Sequence, residues 1–258
     1  MHTQKPFIEV KHVSKRYPSP GKTWFPTYTD VLQDINFEIY PGEIVGLIGL
    51  SGKGKSTLAR LLLGIEKPDQ GEIITEGEPL KHWRSTHRGA MSVVFQNYAD
   101  SVNPNWTVQE IILEPFRGTS NEASPAIKAR TIELLEKVGL NASYLTRYPF
   151  ELSGGQCQRV CIARALIANP RFIVFDEAVS SLDVSVQAEI IELLKTLRHE
   201  KTSWLFISHD IQAVASLCSR VLFLDQGRIV EDLPMNELTS SQNPFVQKLI
   251  RALQALKW

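Results

Sequence analysis

Apolar and polar residues alternate along FIEVKHV (7–13), and this period of two predicts an early strand. The alternation stops at PSPGKTWFPTYTD (18–30), which is rich in proline, glycine and threonine and predicts an exposed loop. NFEI (36–39) predicts a short strand, and Pro41-Gly42 a turn after it. EIVGLIG (43–49) is a short apolar run that suits a buried strand. TLARLLLG (57–64) has helical composition and stops at a glycine, and MSVVF (91–95) predicts a further strand.

From about residue 97 to residue 168 the pattern is mostly helical. Ser124-Pro125 predicts an N-cap followed by proline at the first helical position. Ile127, Leu134, Leu135 and Val138 then form one apolar face, which Gly139 ends. Strands return afterwards. FIVFDE (172–177), SWLFIS (203–208) and RVLFLD (220–225) are apolar runs that suit a parallel sheet covered on both faces. QAEIIELLKTLRHE (187–200) predicts an amphipathic helix between the first two. NPFVQKLIRALQAL (243–256) predicts a last helix with Phe245, Leu249, Ile250 and Leu253 on one side. Its other face lacks the dense basic residues of interfacial helices, so packing on its own domain is expected. The pattern gives an α/β core over residues 1–240, a helical subdomain inserted at about 97–168, and a terminal helix over 241–258. There is no internal repeat.

Composition narrows the class. The chain has 258 residues, 43% hydrophobic, enough for a sizeable core in one large or two intimate domains. A formal net charge of +0 argues against wholesale nucleic-acid binding, which leaves a basic footprint. No apolar run approaches the ~20 residues that span a bilayer, and MHTQKPFIEVKHV does not read as a secretory signal. Three cysteines suggest a reducing compartment rather than a disulfide framework. A soluble intracellular chain is expected, one that reaches a membrane only through a partner.

The candidate chemistry begins at GLSGKGKST, residues 49–57. Gly49-x-x-x-x-Gly54-Lys55-Ser56 fits the phosphate-binding loop, and it follows a predicted strand and opens a predicted helix. The expected binding stretch is Gly49, Leu50, Ser51, Gly52, Lys53, Gly54, Lys55, Ser56 and Thr57. Its amides would curl around a polyphosphate at a helix N-terminus. Lys55 should reach the β- and γ-phosphates and Ser56 should bind Mg²⁺; Lys53 is expected to be solvated. In FIVFDE, Asp176 ends a buried strand, where open α/β sheets bind ligands, and can hold the Mg²⁺ shell. Glu177 follows and can act as general base on the attacking water. In LSGGQ (152–156), Ser153, Gly154 and Gly155 precede a helix and form an anion nest. A cap needs only the serine, so the glycines imply a close approach to the backbone.

With LSGGQ in place the chain resembles the ATP-binding cassette family over nearly its whole length. The resemblance implies a P-loop ATPase fold: a mostly parallel sheet, an antiparallel β subdomain and an inserted helical subdomain. It implies ATP and Mg²⁺ as ligands. Tyr17, in SKRY, matches the aromatic that stacks on adenine. Gln96, in VVFQ, matches the glutamine that senses Mg²⁺ and the membrane partner. Ser153, Gly154, Gly155 and Gln156 match the signature that meets ATP on a second cassette, and Asp183, in SSLD, matches the aspartate that crosses that interface. His209, in ISHD, matches the switch histidine at the γ-phosphate. Glu177 and His209 together look like a hydrolysing subunit.

SVNPNWTVQEIILEPF (101–116) and DEAVSSLDVSVQAEII (176–191) are similar to the peptide and nickel importer group. Ala178 after the glutamate resembles nickel-type members, whereas peptide-type members usually have proline there. The resemblance implies an ATPase at the cytoplasmic face of the cell membrane, peripheral to it. Its partners would be a second cassette (paralogue or self), two permease subunits and an extracytoplasmic solute-binding protein, with no nucleic acid. Nickel or a related transition metal such as cobalt, free or chelated, is the expected cargo, and a di- or oligopeptide the alternative. Cassette ATPases of DNA repair or the ribosome usually carry two cassettes, zinc-binding insertions or basic arms. A nucleotide-gated scaffold would turn over no ATP. Cys157 and Cys161 lie four apart on one helix face, but no further metal ligand is evident nearby and a structural role is expected. Cys218 reads the same way, and His82 and His87 as solvated surface.

Overall fold

The computed structural model describes residues 4–19, 27–98, 100–119, 124–180 and 182–255, with side chains through 251. In chain order the elements begin with strands β1 (Ile8–Pro18), β2 (Tyr28–Ile39) and β3 (Ile44–Gly49). Helix α1 (Lys55–Leu62), β4 (Gln70–Thr75), β5 (Glu78–Pro79), α2 (Leu80–Thr86) and β6 (Met91–Phe95) follow. Helices α3 (Val108–Leu113), α4 (Pro125–Lys137) and α5 (Gly154–Leu166) precede β7 (Phe172–Asp176) and α6 (Val184–Leu197). The chain continues through β8 (Ser203–Ile207), α7 (Ile211–Leu217), β9 (Arg220–Asp225), β10 (Arg228–Pro234) and α8 (Pro244–Ala255). Two compact units emerge, one of residues 1–87 with 203–258 and one of residues 88–202.

The first unit holds an antiparallel sheet in the order β2-β1-β4-β5 and a strand array β10-β9-β3-β8. In the array β3 is parallel to β8 and β9, and β10 returns antiparallel to β9. Every residue of β3 and β8 is buried, which is why both sequences are continuous apolar runs rather than alternating ones. Arg220 fastens the array: its guanidinium donates to Glu43 at 2.8 Å, to Asp232 at 2.6 and 3.0 Å and to the Glu38 carbonyl at 2.9 Å. The Glu43 side chain is only 10% exposed, so removing Arg220 strands a desolvated carboxylate. Arg220→Met is expected to lower stability by about 3 kcal/mol, read from the midpoint of urea unfolding. A shift worth less than a third of that would show the ion pair to be dispensable.

In the second unit β6 and β7 run parallel, with Phe95 opposite Asp176. Arg164 ties α5 to the chain on both sides of α3, donating to the Ser101 carbonyl ahead of it at 2.6 Å and to Glu114 just after it at 2.8 Å. Along α4, Leu134, Leu135 and Val138 are buried and Ile127 half-buried, the face that the periodicity predicts.

Several elements differ from the pattern reading. β2 starts at Tyr28, so the predicted loop is strand at both ends, and its residues 20–26 lie outside the described ones. Polar residues hide this strand because β2 lies at the sheet edge and its first three residues are exposed. β4 and β10 escape for the same reason, since their burial is partial, and α2 and α7 are seven residues each, short of a full helical period pair. His87 is not solvated surface: its ring stacks on buried Trp83 at 4.4 Å. Among the described side chains of α8, Val246 is fully buried, Phe245, Leu249 and Ile250 are half-buried, and the Leu253 side chain lies outside the described residues.

Candidate active site

β3 delivers Gly49 to the end of the strand array, and the chain then turns into α1. Gly54 is the N-cap residue, at φ +103°, and a Cβ there would lie 2.9 Å from the Val31 carbonyl oxygen. Both the left-handed backbone and the close approach therefore demand glycine. No side chain caps α1 and its first turn carries no acidic residue, so its N-terminal amides and dipole suit an anion. Lys55 is buried, and its ammonium donates to the carbonyls of Gly49 at 2.9 Å and Leu50 at 3.2 Å, which closes the loop. Leu50, Ser51, Gly52 and Ser56 are exposed, Thr57 is buried, and Lys53 is half-buried rather than fully solvated.

β8 lies beside β3 in parallel register, Leu47 opposite Ile207, and Ser208 continues the pairing by donating to the Leu47 carbonyl at 3.2 Å. Exposed His209 thus leaves the array at the C-terminal strand ends, the edge from which the phosphate loop also leaves. Asp210 caps α7 by accepting from the Gln212 amide at 2.7 Å, which fixes the chain direction after the histidine. Tyr17 stands near the end of β1, opposite Thr29 of β2, half-buried.

The second unit repeats the arrangement. Phe95 pairs with Asp176, so Gln96 and Glu177 leave adjacent parallel strands one residue later. Asp176 is buried and Gln96 exposed. Glu177 has φ +49°, a left-handed backbone that is rare for a side-chain-bearing residue. The following turn holds it there: the Ser180 amide and hydroxyl donate to the Glu177 carbonyl at 3.1 and 2.9 Å. Strain of this kind costs on the order of 1–3 kcal/mol and clusters where function needs it. Nothing in the local sequence signals it.

Ser153 caps α5 in a reciprocal box, accepting from the Gln156 amide at 3.3 Å while Gln156 Oε1 accepts from the Ser153 amide at 3.0 Å. Gln156 also donates to the Tyr144 hydroxyl at 3.0 Å. The close approaches to the glycines come from within this unit. A Cβ on Gly154 would meet the Tyr98 hydroxyl at 2.6 Å, and one on Gly155 would meet Val186 at 2.7 Å. Asp183 holds the N-cap position of α6, exposed and making no side-chain cap bond, and Val184 beside it is 83% exposed. The acid therefore points its charge outward instead of serving its own helix.

Cys157 and Cys161 are buried side by side, and Cys161 Sγ lies 3.6 Å from Ser101 Oγ. Their mutual hydrogen bond and burial push the Cys157 thiol well above its ordinary range, and burial does the same to Cys218. Among the described residues no group of three or more histidines, cysteines and acids is placed to hold a metal ion.

A family model described as ABC transporter matches residues 32–180. The chain is 41% identical over 244 residues to the metal-staphylopine import system ATP-binding protein CntF of Staphylococcus aureus (strain NCTC 8325 / PS 47), covering 94% of this chain and 97% of that one. It is 42% identical over 254 residues to the nickel import ATP-binding protein NikE of Rhodospirillum rubrum, covering 96% and 91%. Its structure is similar, at a TM-score of 0.76 and 28% identity, to the ATP-binding cassette MJ0796, solved as a dimer in a post-hydrolysis state with ADP and Pi. That likeness covers 88% of this chain and 98% of the other.

Proposed function

Because this chain belongs to the ABC transporter family, we propose that it is the ATP-hydrolysing subunit of an importer for nickel or a related transition metal, free or chelated. The α/β fold is that of a P-loop ATPase of the cassette type, and ATP hydrolysis by a transporter subunit is the family's activity. The observation that carries the metal reading is identity above 40% across nearly the whole chain to two ATPase subunits named for metal or nickel import. Ala178 after the acid pair agrees with it.

In this reading the loop amides from Gly49 to Thr57, the α1 N-terminus and Lys55 bind the phosphates, and Tyr17 stacks on adenine. Glu177 takes a proton from the attacking water, and His209 contacts the γ-phosphate. Ser56, Gln96 and Asp176 offer only hydroxyl, amide and carboxylate oxygens, the hard donors that suit Mg²⁺. Bound there, Mg²⁺ would neutralise charge on the phosphates. Ser153, Gly154, Gly155, Gln156 and Asp183 meet the nucleotide of a second cassette, either a paralogue or a second copy. The cassette would span residues 1–240 with its helical part at about 97–168, and residues 241–258 would be the terminal segment that carries α8. The chain sits at the cytoplasmic face of the membrane, peripheral to it, and two permease subunits and an extracytoplasmic binding protein complete the importer. Among the described residues no helix is long and apolar enough to cross a membrane, so the chain acts through those permeases.

Cellular uptake tests the cargo. Radiolabelled nickel, cobalt and zinc, free and chelated, are compared with a labelled oligopeptide in the wild type and in a strain carrying only Lys55→Ala. Loss of metal uptake alone is expected. Loss of peptide uptake alone would replace the metal by a peptide.

A further inference from the structure

Tyr17 is held by more than the packing of a strand-end aromatic requires. Its hydroxyl donates to the Glu66 carboxylate, on the loop after α1. Arg60, in the last turn of α1, donates through Nε to Glu66 at 2.5 Å and through Nη2 to the Tyr17 hydroxyl oxygen at 3.4 Å. The same Nη2 reaches Thr57 Oγ1 at 3.3 Å. Thr57 and Arg60 are three apart and share one face of α1, the helix whose first turn carries Lys55 and Ser56. On the ring side, the Lys15 ammonium lies 5.5 Å from the Tyr17 centroid. Lys15 is itself fastened to the Lys67 carbonyl at 2.8 Å and to Asp69 at 3.4 Å. The phenol edge is thus anchored to α1 through Arg60 and a cation lies over the ring; in the stacking reading a flat base takes the ring face away from Lys15.

A phenylalanine would fill the same space, so the hydroxyl serves the anchor rather than the packing. An aromatic that is already immobilised loses less rotamer freedom when a base stacks on it. We infer that Glu66 and Arg60 are positioning residues that fix the Tyr17 ring relative to the phosphate loop, and so set affinity for the base of the nucleotide separately from its phosphates. This rests on the reading of Tyr17 as the adenine-stacking aromatic. Neither residue touches the nucleotide; both act through the phenol. Glu66 joins the two, accepting from Arg60 at one carboxylate oxygen and from Tyr17 at the other.

Binding of ATP and of inorganic tripolyphosphate to the full chain, measured by calorimetry, separates the two contributions. Tyr17→Ala is expected to weaken ATP binding about tenfold or more. Tyr17→Phe and Glu66→Gln, which keep the side-chain volumes, are each expected to weaken it about three- to fivefold. All three leave tripolyphosphate binding unchanged, because it has no base to stack. The double variant Tyr17→Phe/Glu66→Gln binds ATP no more weakly than either single one, since both remove the same anchor. If Tyr17→Phe binds ATP like the wild type while Tyr17→Ala does not, the stacking stands and the anchor is overturned. If Tyr17→Ala also binds normally, the reading of Tyr17 itself fails. Equal weakening of ATP and tripolyphosphate by Glu66→Gln would reduce Glu66 to general scaffolding and overturn the inference.

Discussion

Glu177→Gln is expected to lower ATP hydrolysis by about 10²–10⁴-fold while ATP still binds with near-normal affinity. The substitution keeps size and shape and removes only the basic oxygen. It also leaves the backbone undisturbed, because glutamine meets the same steric limits at φ +49° as glutamate. The turn that holds this conformation uses the Glu177 carbonyl and Ser180, not the carboxylate. Loss of activity would therefore report on proton transfer and not on a collapsed strand end. Phosphate release in a single turnover, set beside the dissociation constant for ATP, separates the two. In the proposed cycle binding closes a pair of cassettes and hydrolysis opens it, so ATP-bound cassettes of this variant should also accumulate as pairs on gel filtration. Hydrolysis by the variant at the normal rate would remove Glu177 from the chemistry and favour a nucleotide-gated scaffold.

Lys55→Ala should weaken ATP binding by about 10–100-fold, the worth of one or two hydrogen bonds to a charged group. Two effects combine. The positive charge facing the β- and γ-phosphates disappears, and so do the bonds that close the loop onto the Gly49 and Leu50 carbonyls. Lys53 is the internal control. It lies only two residues away but outside the helix, and it is half-buried where Lys55 is buried. Lys53→Ala should change the affinity by no more than about threefold, the scale of a surface substitution. Thermal melting of both variants guards against a loss that is only unfolding. Equal losses at the two positions would mean that general positive charge, and not the lysine at the helix start, holds the nucleotide.

Other parts of the site show how far local pattern reaches. The turn residue Gly54 and the helix start at Lys55 are legible because glycine, lysine and serine spacing encodes a local turn. The acid pair after FIVF is legible because a buried apolar run must end where polar residues begin. The signature glycines are half legible. Their sequence calls for a close approach, but only the fold shows Tyr98 and Val186 making it. β4 and β10 are not legible, since exposed positions are free to be polar and erase the alternation. Val246 is missed because the helical period that groups Phe245, Leu249, Ile250 and Leu253 fixes which residues share a side but not which side meets the core.

The sequence by itself determined the residue types of the site, the strand–loop–helix that carries Lys55 and the apolar strands that end at Asp176 and before His209. These depend on neighbours a few positions apart. Only the tertiary structure decided that, in the second unit, Gln96 leaves β6 beside the end of β7, that, in the first unit, His209 leaves its strand array on the edge from which the phosphate loop also leaves, and that Tyr17 is anchored through Glu66 and Arg60. It also decided that Glu177 stands in a left-handed backbone. Those are matters of strand register and side-chain docking between residues far apart in the chain. Each pairing is selected by the burial of a whole sheet face, so no short stretch of sequence contains it.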